Sequence, residues 1–191
     1  MDLLGSRIQA RRVLEVRDEV FAHWEGRVQQ SIAGAKSIAH PVLLDTLPMF
    51  YGNIVEALSP GVARDNAVGG TTAAAGHGGE RARTTEYCVA EVVHEYHLLR
   101  DSLLAVCAEH TIVFSRPELD IITCSFDQAI VDSVHEFTTI QSALRERIAA
   151  TLTHDMRTPL AVILGTAHLL TRVDKAHIAS LAKKSSATGA G

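Results

Sequence analysis

The stretch Arg145-Glu146-Arg147-Ile148-Ala149-Ala150-Thr151-Leu152-Thr153-His154-Asp155-Met156-Arg157-Thr158-Pro159-Leu160 closes a run, opening at Glu118, in which neither glycine nor proline occurs before Pro159. A run this long without a breaker predicts one continuous helix. Leu119, Ile122, Phe126, Ile130, Phe137, Ile140, Leu144 and Ile148 recur along it at helical steps, with one skipped turn near Ser133 and Val134. The mean step is close to the coiled-coil seam of about 3.5 residues. At about 1.5 Å per residue the helix would span roughly 60 Å, too long for one small domain to bury. Pairing with the same helix of a second chain, giving a homodimer, is therefore expected.

The end of the run carries chemistry. The His154 imidazole is a competent nucleophile when neutral. Asp155 lies about 100° further around a helix and must swing to reach the ring. Thr158, four residues on, shares the His154 face one turn along. Pro159 has no N–H to donate and crowds the Asp155 carbonyl, so the helix should bend just after the histidine. An ordinary surface histidine on a kinked helix would leave this ordered set unexplained.

The set His154, Asp155, Met156, Arg157, Thr158, Pro159 and Leu160 resembles, without a gap, the phosphoacceptor box of sensor histidine kinases, and the flanks 145–152 and 161–165 fit as well. The resemblance implies that His154 accepts a phosphoryl group and Asp155 is its acid/base partner. Thr158 would orient the water that dephosphorylates the partner, a response-regulator receiver domain, and Pro159 would supply a helix bend. It also implies a hairpin, with a turn at residues 171–174 and a return helix from Lys175. A complete enzyme of this kind is an ATP- and Mg-dependent kinase, yet nothing after His154 resembles a nucleotide site. The expectation is a truncated fragment that has no cofactor of its own and is inactive alone.

With 191 residues, 47% of them apolar, the chain can bury one sensory core with a helical piece appended. A net charge of −4 with scattered basic residues argues against nucleic acid. No secretory signal and no apolar run near the roughly 20 residues of a membrane span occurs, which predicts a cytoplasmic protein without a membrane partner. Cys88, Cys107 and Cys124 are read as buried thiols rather than disulfides or metal ligands.

Before the long run, Ile8, Val13, Val16, Val20, Trp24 and Val28 predict a helix over residues 6–32, and a break follows at 33–37. Asp45 reads as the cap, with Pro48 in the first turn, of a helix ending at Leu58 whose inner face is Leu47, Phe50, Tyr51, Ile54 and Leu58. Residues 59–79, holding six of the thirteen glycines, read as a flexible connection. With no strand before it and no Gly-Lys-Ser/Thr element, it does not read as a phosphate loop. Periodicity resumes over 80–114, with Tyr87, Val92, Val93, Tyr96, Leu99, Leu103, Val106 and Cys107 inward, and Ser115 can cap the next helix. The organisation is all-α: a sensory bundle at 1–116, a signalling helix at 117–150 and a partial phosphoacceptor hairpin at 151–191.

The segments 40–48, 77–82 and 87–100 resemble the N-terminal domain of RsbR- and RsbRD-type stress regulators, over about residues 8–139. That resemblance implies a distantly globin-like helical bundle, usually without haem, that senses a small-molecule or protein signal. Tyr51, Tyr87, His94, Tyr96 and Arg100 read as polar tips on an apolar cavity for such a ligand. His94 and His97, beside Glu91 and Glu95, leave metal and haem ligation as less favoured alternatives; no metal is expected. A non-catalytic stress-signalling module in which the His154 box is vestigial is the rival function.

Overall fold

A computed structural model describes residues 3–44, 46–59, 72–84 and 86–188. Among them the elements are all helical: α1 (Leu3–Glu15), α2 (Arg17–Ser31), a 3-10 turn (Ala33–Ser37), α3 (His40–Leu44), α4 (Leu47–Ala57), α5 (Thr72–Thr84), α6 (Val89–Glu109) and α7 (Arg116–Thr188). The all-α expectation is met. The chain forms two compact units, Met1–Ser142 and Ala143–Gly191.

In the first unit α2 packs chiefly on α6, α1 on α4, and α4 on α5. Val13, Val20, Trp24 and Val28 are buried as their spacing predicts. Trp24 also donates its indole N–H to the Glu95 carbonyl at 3.0 Å, satisfying the one polar atom of a buried ring. Phe50 sets its ring edge-on to Tyr96 and Phe126, with centroids 5.6 and 5.1 Å away, and so joins α4, α6 and α7.

Several expected boundaries move. The helix expected over 6–32 breaks at Val16, although no glycine or proline marks the place; Val13, Val16 and Val20 stay buried across the break. Asp45 lies outside the described residues, and Thr46 occupies the N-cap of α4. Part of the connection expected at 59–79 is instead α5, helical through Gly76, Gly78 and Gly79. These glycines cost helix propensity; Gly76 lies against Thr46 at the start of α4, while Gly78 and Gly79 lie against Ser133 and Glu136 of α7. The helix expected over 80–114 is interrupted before α6, where Cys88 is the N-cap and Glu91 accepts its backbone N–H at 2.8 Å. Ser115 closes the corresponding start of α7, its N–H and hydroxyl both donating to Glu118. Cys107 is buried, which pushes its thiol up to about 11, whereas Cys88 and Cys124 are exposed, against expectation.

Two corrections concern α7. The turn expected at residues 171–174 is absent and the helix runs on to Thr188, through a stretch that holds no glycine or proline to stop it. The expected coiled-coil seam is, over its first half, core of the first unit: Ile122, Phe126, Ala129 and Phe137 are buried there and Ile130 packs against them. The same spacing serves either purpose, so periodicity alone could not separate them. An Asp at Phe137 should therefore unfold the bundle rather than split a dimer. Losing the ring and burying a carboxylate cost about 3–5 kcal/mol, visible as a collapse of the thermal melt; a Phe137→Asp protein melting like the parent would contradict this packing.

Candidate functional site

His154 lies on the second unit's share of α7, where every described side chain from residue 142 to 179 is exposed. Its Nδ1 stands 3.3 Å from Asp155 Oδ1, with the two side chains 82% and 68% exposed. Asp155 therefore does reach the ring. A pair this open and this long adds little stability. When Asp155 accepts from Nδ1–H, the proton sits on Nδ1 and the lone pair on Nε2, the nitrogen facing away from the carboxylate. Thr158 follows one turn later, also exposed, and Pro159 cannot donate to the Asp155 carbonyl. Thr151 and Thr153 donate their hydroxyls to the carbonyls of Arg147 and Ala149, so the chain before His154 holds a regular turn.

The apolar residues of this unit form a row. Ile148, Leu152, Met156, Leu160 and Leu164 follow at steps of four and are about half exposed or more. At about 100° per residue His154 and Thr158 fall on the far side of the helix from Leu152 and Met156. A partner can cover the row and leave the imidazole open.

The other candidates lie in the first unit. The Tyr51 hydroxyl donates to the Val13 carbonyl at 2.7 Å, between α4 and α1. Tyr87 donates to Glu95 Oε1 at 2.9 Å. Tyr96 meets the Ser133 hydroxyl at 2.7 Å. His94 and His97 are exposed, and Arg100 is half-buried. Among the described residues no three His, Cys, Asp or Glu side chains are placed to hold a metal.

What pattern reading did not single out is a buried polar centre on Glu95. Its carboxylate, 1% exposed, is held by Arg81 through Nε and Nη2, by His77 Nε2 at 3.0 Å and by Tyr87. Arg81 also donates to the carbonyls of Val42 and Leu43, tying down α3. Burial alone would raise the Glu95 pKa; the charges and hydrogen bonds of His77 and Arg81 outweigh it and hold the carboxyl below its ordinary value. The available signal was Glu95 itself, a charge on the buried stripe of Val92, Tyr96 and Leu99.

The row of apolar residues, the exposed histidine and its aspartate coincide with a family. Residues 144–187 match the His Kinase A (phospho-acceptor) domain. The match begins just past the boundary between the two units and contains His154, Asp155, Thr158 and Pro159. It supports a phosphoacceptor and dimerisation role in a histidine kinase. No curated protein and no solved structure matches the chain. Among the described residues no helix is long and apolar enough to cross a membrane.

Proposed function

We propose that this chain is the sensory and phosphoacceptor part of a cytoplasmic two-component histidine kinase. The supporting observation is the exposed His154 with Asp155 on its Nδ1, inside the matched segment. Nε2 attacks the γ-phosphorus of ATP held with Mg by a kinase domain. The N–P bond forms, the bond to the bridging oxygen breaks, ADP leaves, and Asp155 takes up the Nδ1 proton. A receiver-domain aspartate then attacks the phosphorus and the imidazole leaves. In-line positioning supplies most of the rate enhancement. Thr158 orients a water that attacks the receiver's aspartyl phosphate, releasing inorganic phosphate and the carboxylate, and the Pro159 bend lets the histidine move between partners. Two chains pair through the Ile148-to-Leu164 row, while the first unit serves as an RsbR-like sensor of a small-molecule or protein signal.

The test supplies labelled ATP, Mg and a histidine-kinase ATP-binding domain in trans. The expected product carries acid-labile, alkali-stable phosphate on this chain. No label, with a receiver-competent kinase control labelled in parallel, would sink the phosphoacceptor role and favour a non-catalytic, RsbR-like interaction module.

A further inference from the structure

We propose that the crossing of α5 over α7 at Gly78 and Ser133 is the grip by which the Glu95 centre controls the helix that carries His154. Three observations meet there. First, the approach is as close as backbones allow: a Cβ added to Gly78 would come within 2.7 Å of the Ser133 Cα and carbonyl carbon, and closer still to its oxygen. No side chain fits, so any residue but glycine must displace the α7 backbone. Second, the crossing is pinned by hydrogen bonds in a fixed order. The Ser133 hydroxyl donates to the Ala74 carbonyl, so its single proton is spent and Tyr96 must donate to Ser133 Oγ. Ser133 thereby ties α7 to α5 and α6 at once, in a buried position.

Third, the residue before Gly78 belongs to the polar centre. His77 bonds to Glu95 and sets its ring edge-on to Tyr96, with centroids 5.5 Å apart. A contiguous path therefore runs from Glu95 through His77 and Tyr96 to Ser133. Its parts are packed rings, charged hydrogen bonds and a backbone contact, which shift together rather than bend. Ser133 and His154 lie on one helix, α7. A signal that rearranges the Glu95 centre, by a bound molecule or a docked protein, moves α7 at this point. The link to kinase output rests on the phosphoacceptor reading; the mechanical link does not.

The experiment uses the full chain and three variants, Gly78→Ala, Tyr96→Phe and the exposed control Val131→Ala. Two quantities are read: amide hydrogen exchange of peptides covering residues 143–158, and the rate of His154 labelling by the kinase domain supplied in trans. Gly78→Ala is expected to speed exchange in 143–158 at least threefold and to change the labelling rate at least threefold. Tyr96→Phe, which keeps the Ser133-to-Ala74 bond, is expected to act in the same direction and less strongly; Val131→Ala should change neither. If Gly78→Ala loses its helical signal, Tyr96→Phe decides. Exchange changes confined to residues 72–142, with labelling at the parental rate, would overturn the proposal. A parent that takes no label defeats the phosphoacceptor reading alone, and exchange in 143–158 still decides the grip.

Discussion

Replacing His154 with Gln should lower phosphoryl incorporation by at least about a hundredfold, because the amide nitrogen of Gln has a delocalised lone pair and cannot attack phosphorus. Gln is similar in reach, and the site is exposed, so folding should be untouched. Thr158→Ala, one turn away, is expected to separate the two activities. Acceptance should stay within about twofold of the parent while dephosphorylation of the cognate receiver slows about tenfold, because the proposed mechanism gives the hydroxyl a water to orient and no part in the forward transfer. The check is a time course of acid-labile phosphate on each variant, followed by decay of the phosphorylated receiver. Equal labelling of His154→Gln and the parent would mean that a different residue is the nucleophile. His135, His168 and His177 share α7 and would be examined next.

The largest effect on stability is expected at Glu95. Glu95→Ala leaves the Arg81 guanidinium buried without its carboxylate and strips an acceptor from Tyr87 and His77, a loss of about 3–5 kcal/mol. For a unit of this size that is about 10–20 °C in Tm. The pH dependence follows from the depressed carboxyl pKa. The contribution is fully present above the ordinary carboxyl value of 4.5 and is lost as pH falls toward and through the lower folded value. Between pH 7 and pH 3 the parent should therefore lose more Tm than Glu95→Gln, which has no carboxylate to protonate. An alanine variant within about 3 °C of the parent at pH 7 would show that the centre adds little.

Much of this was legible in the chain. The box from His154 to Leu160 is a local pattern on one helix, and local patterns survive in the sequence. So did the buried faces of α2, α4 and α6, where Trp24, Tyr51 and Leu99 fall at helical spacing. What was lost depends on tertiary neighbours. The glycines of α5 read as a flexible link because their cost is local while the compensating contact, Ser133, lies 55 residues further on. The stripe of α7 read as a seam between chains because Phe126 and Phe137 look alike whether they face another protomer or the core of their own unit. The expected turn at 171–174 rested on a family's habit, and no breaker in those residues enforced it. Glu95 was seen as one of several polar groups on α6, since nothing local distinguishes a carboxylate that meets Arg81 from one that meets water.

The indole hydrogen bond from Trp24 to the Glu95 carbonyl has a practical side. The chain has a single tryptophan, and it is fully buried against the peptide group of the residue at the hub of the polar centre. Indole emission depends on the polarity and hydrogen bonding around the ring, so the protein carries a built-in optical probe beside the Glu95 centre. A compound that rearranges the Glu95 centre should shift that emission directly and without any added dye, and one that acts on the apolar row near His154 should shift it less, through the Gly78–Ser133 crossing alone. Fluorescence titration thus sorts candidate effectors by the unit they address before any phosphate is counted.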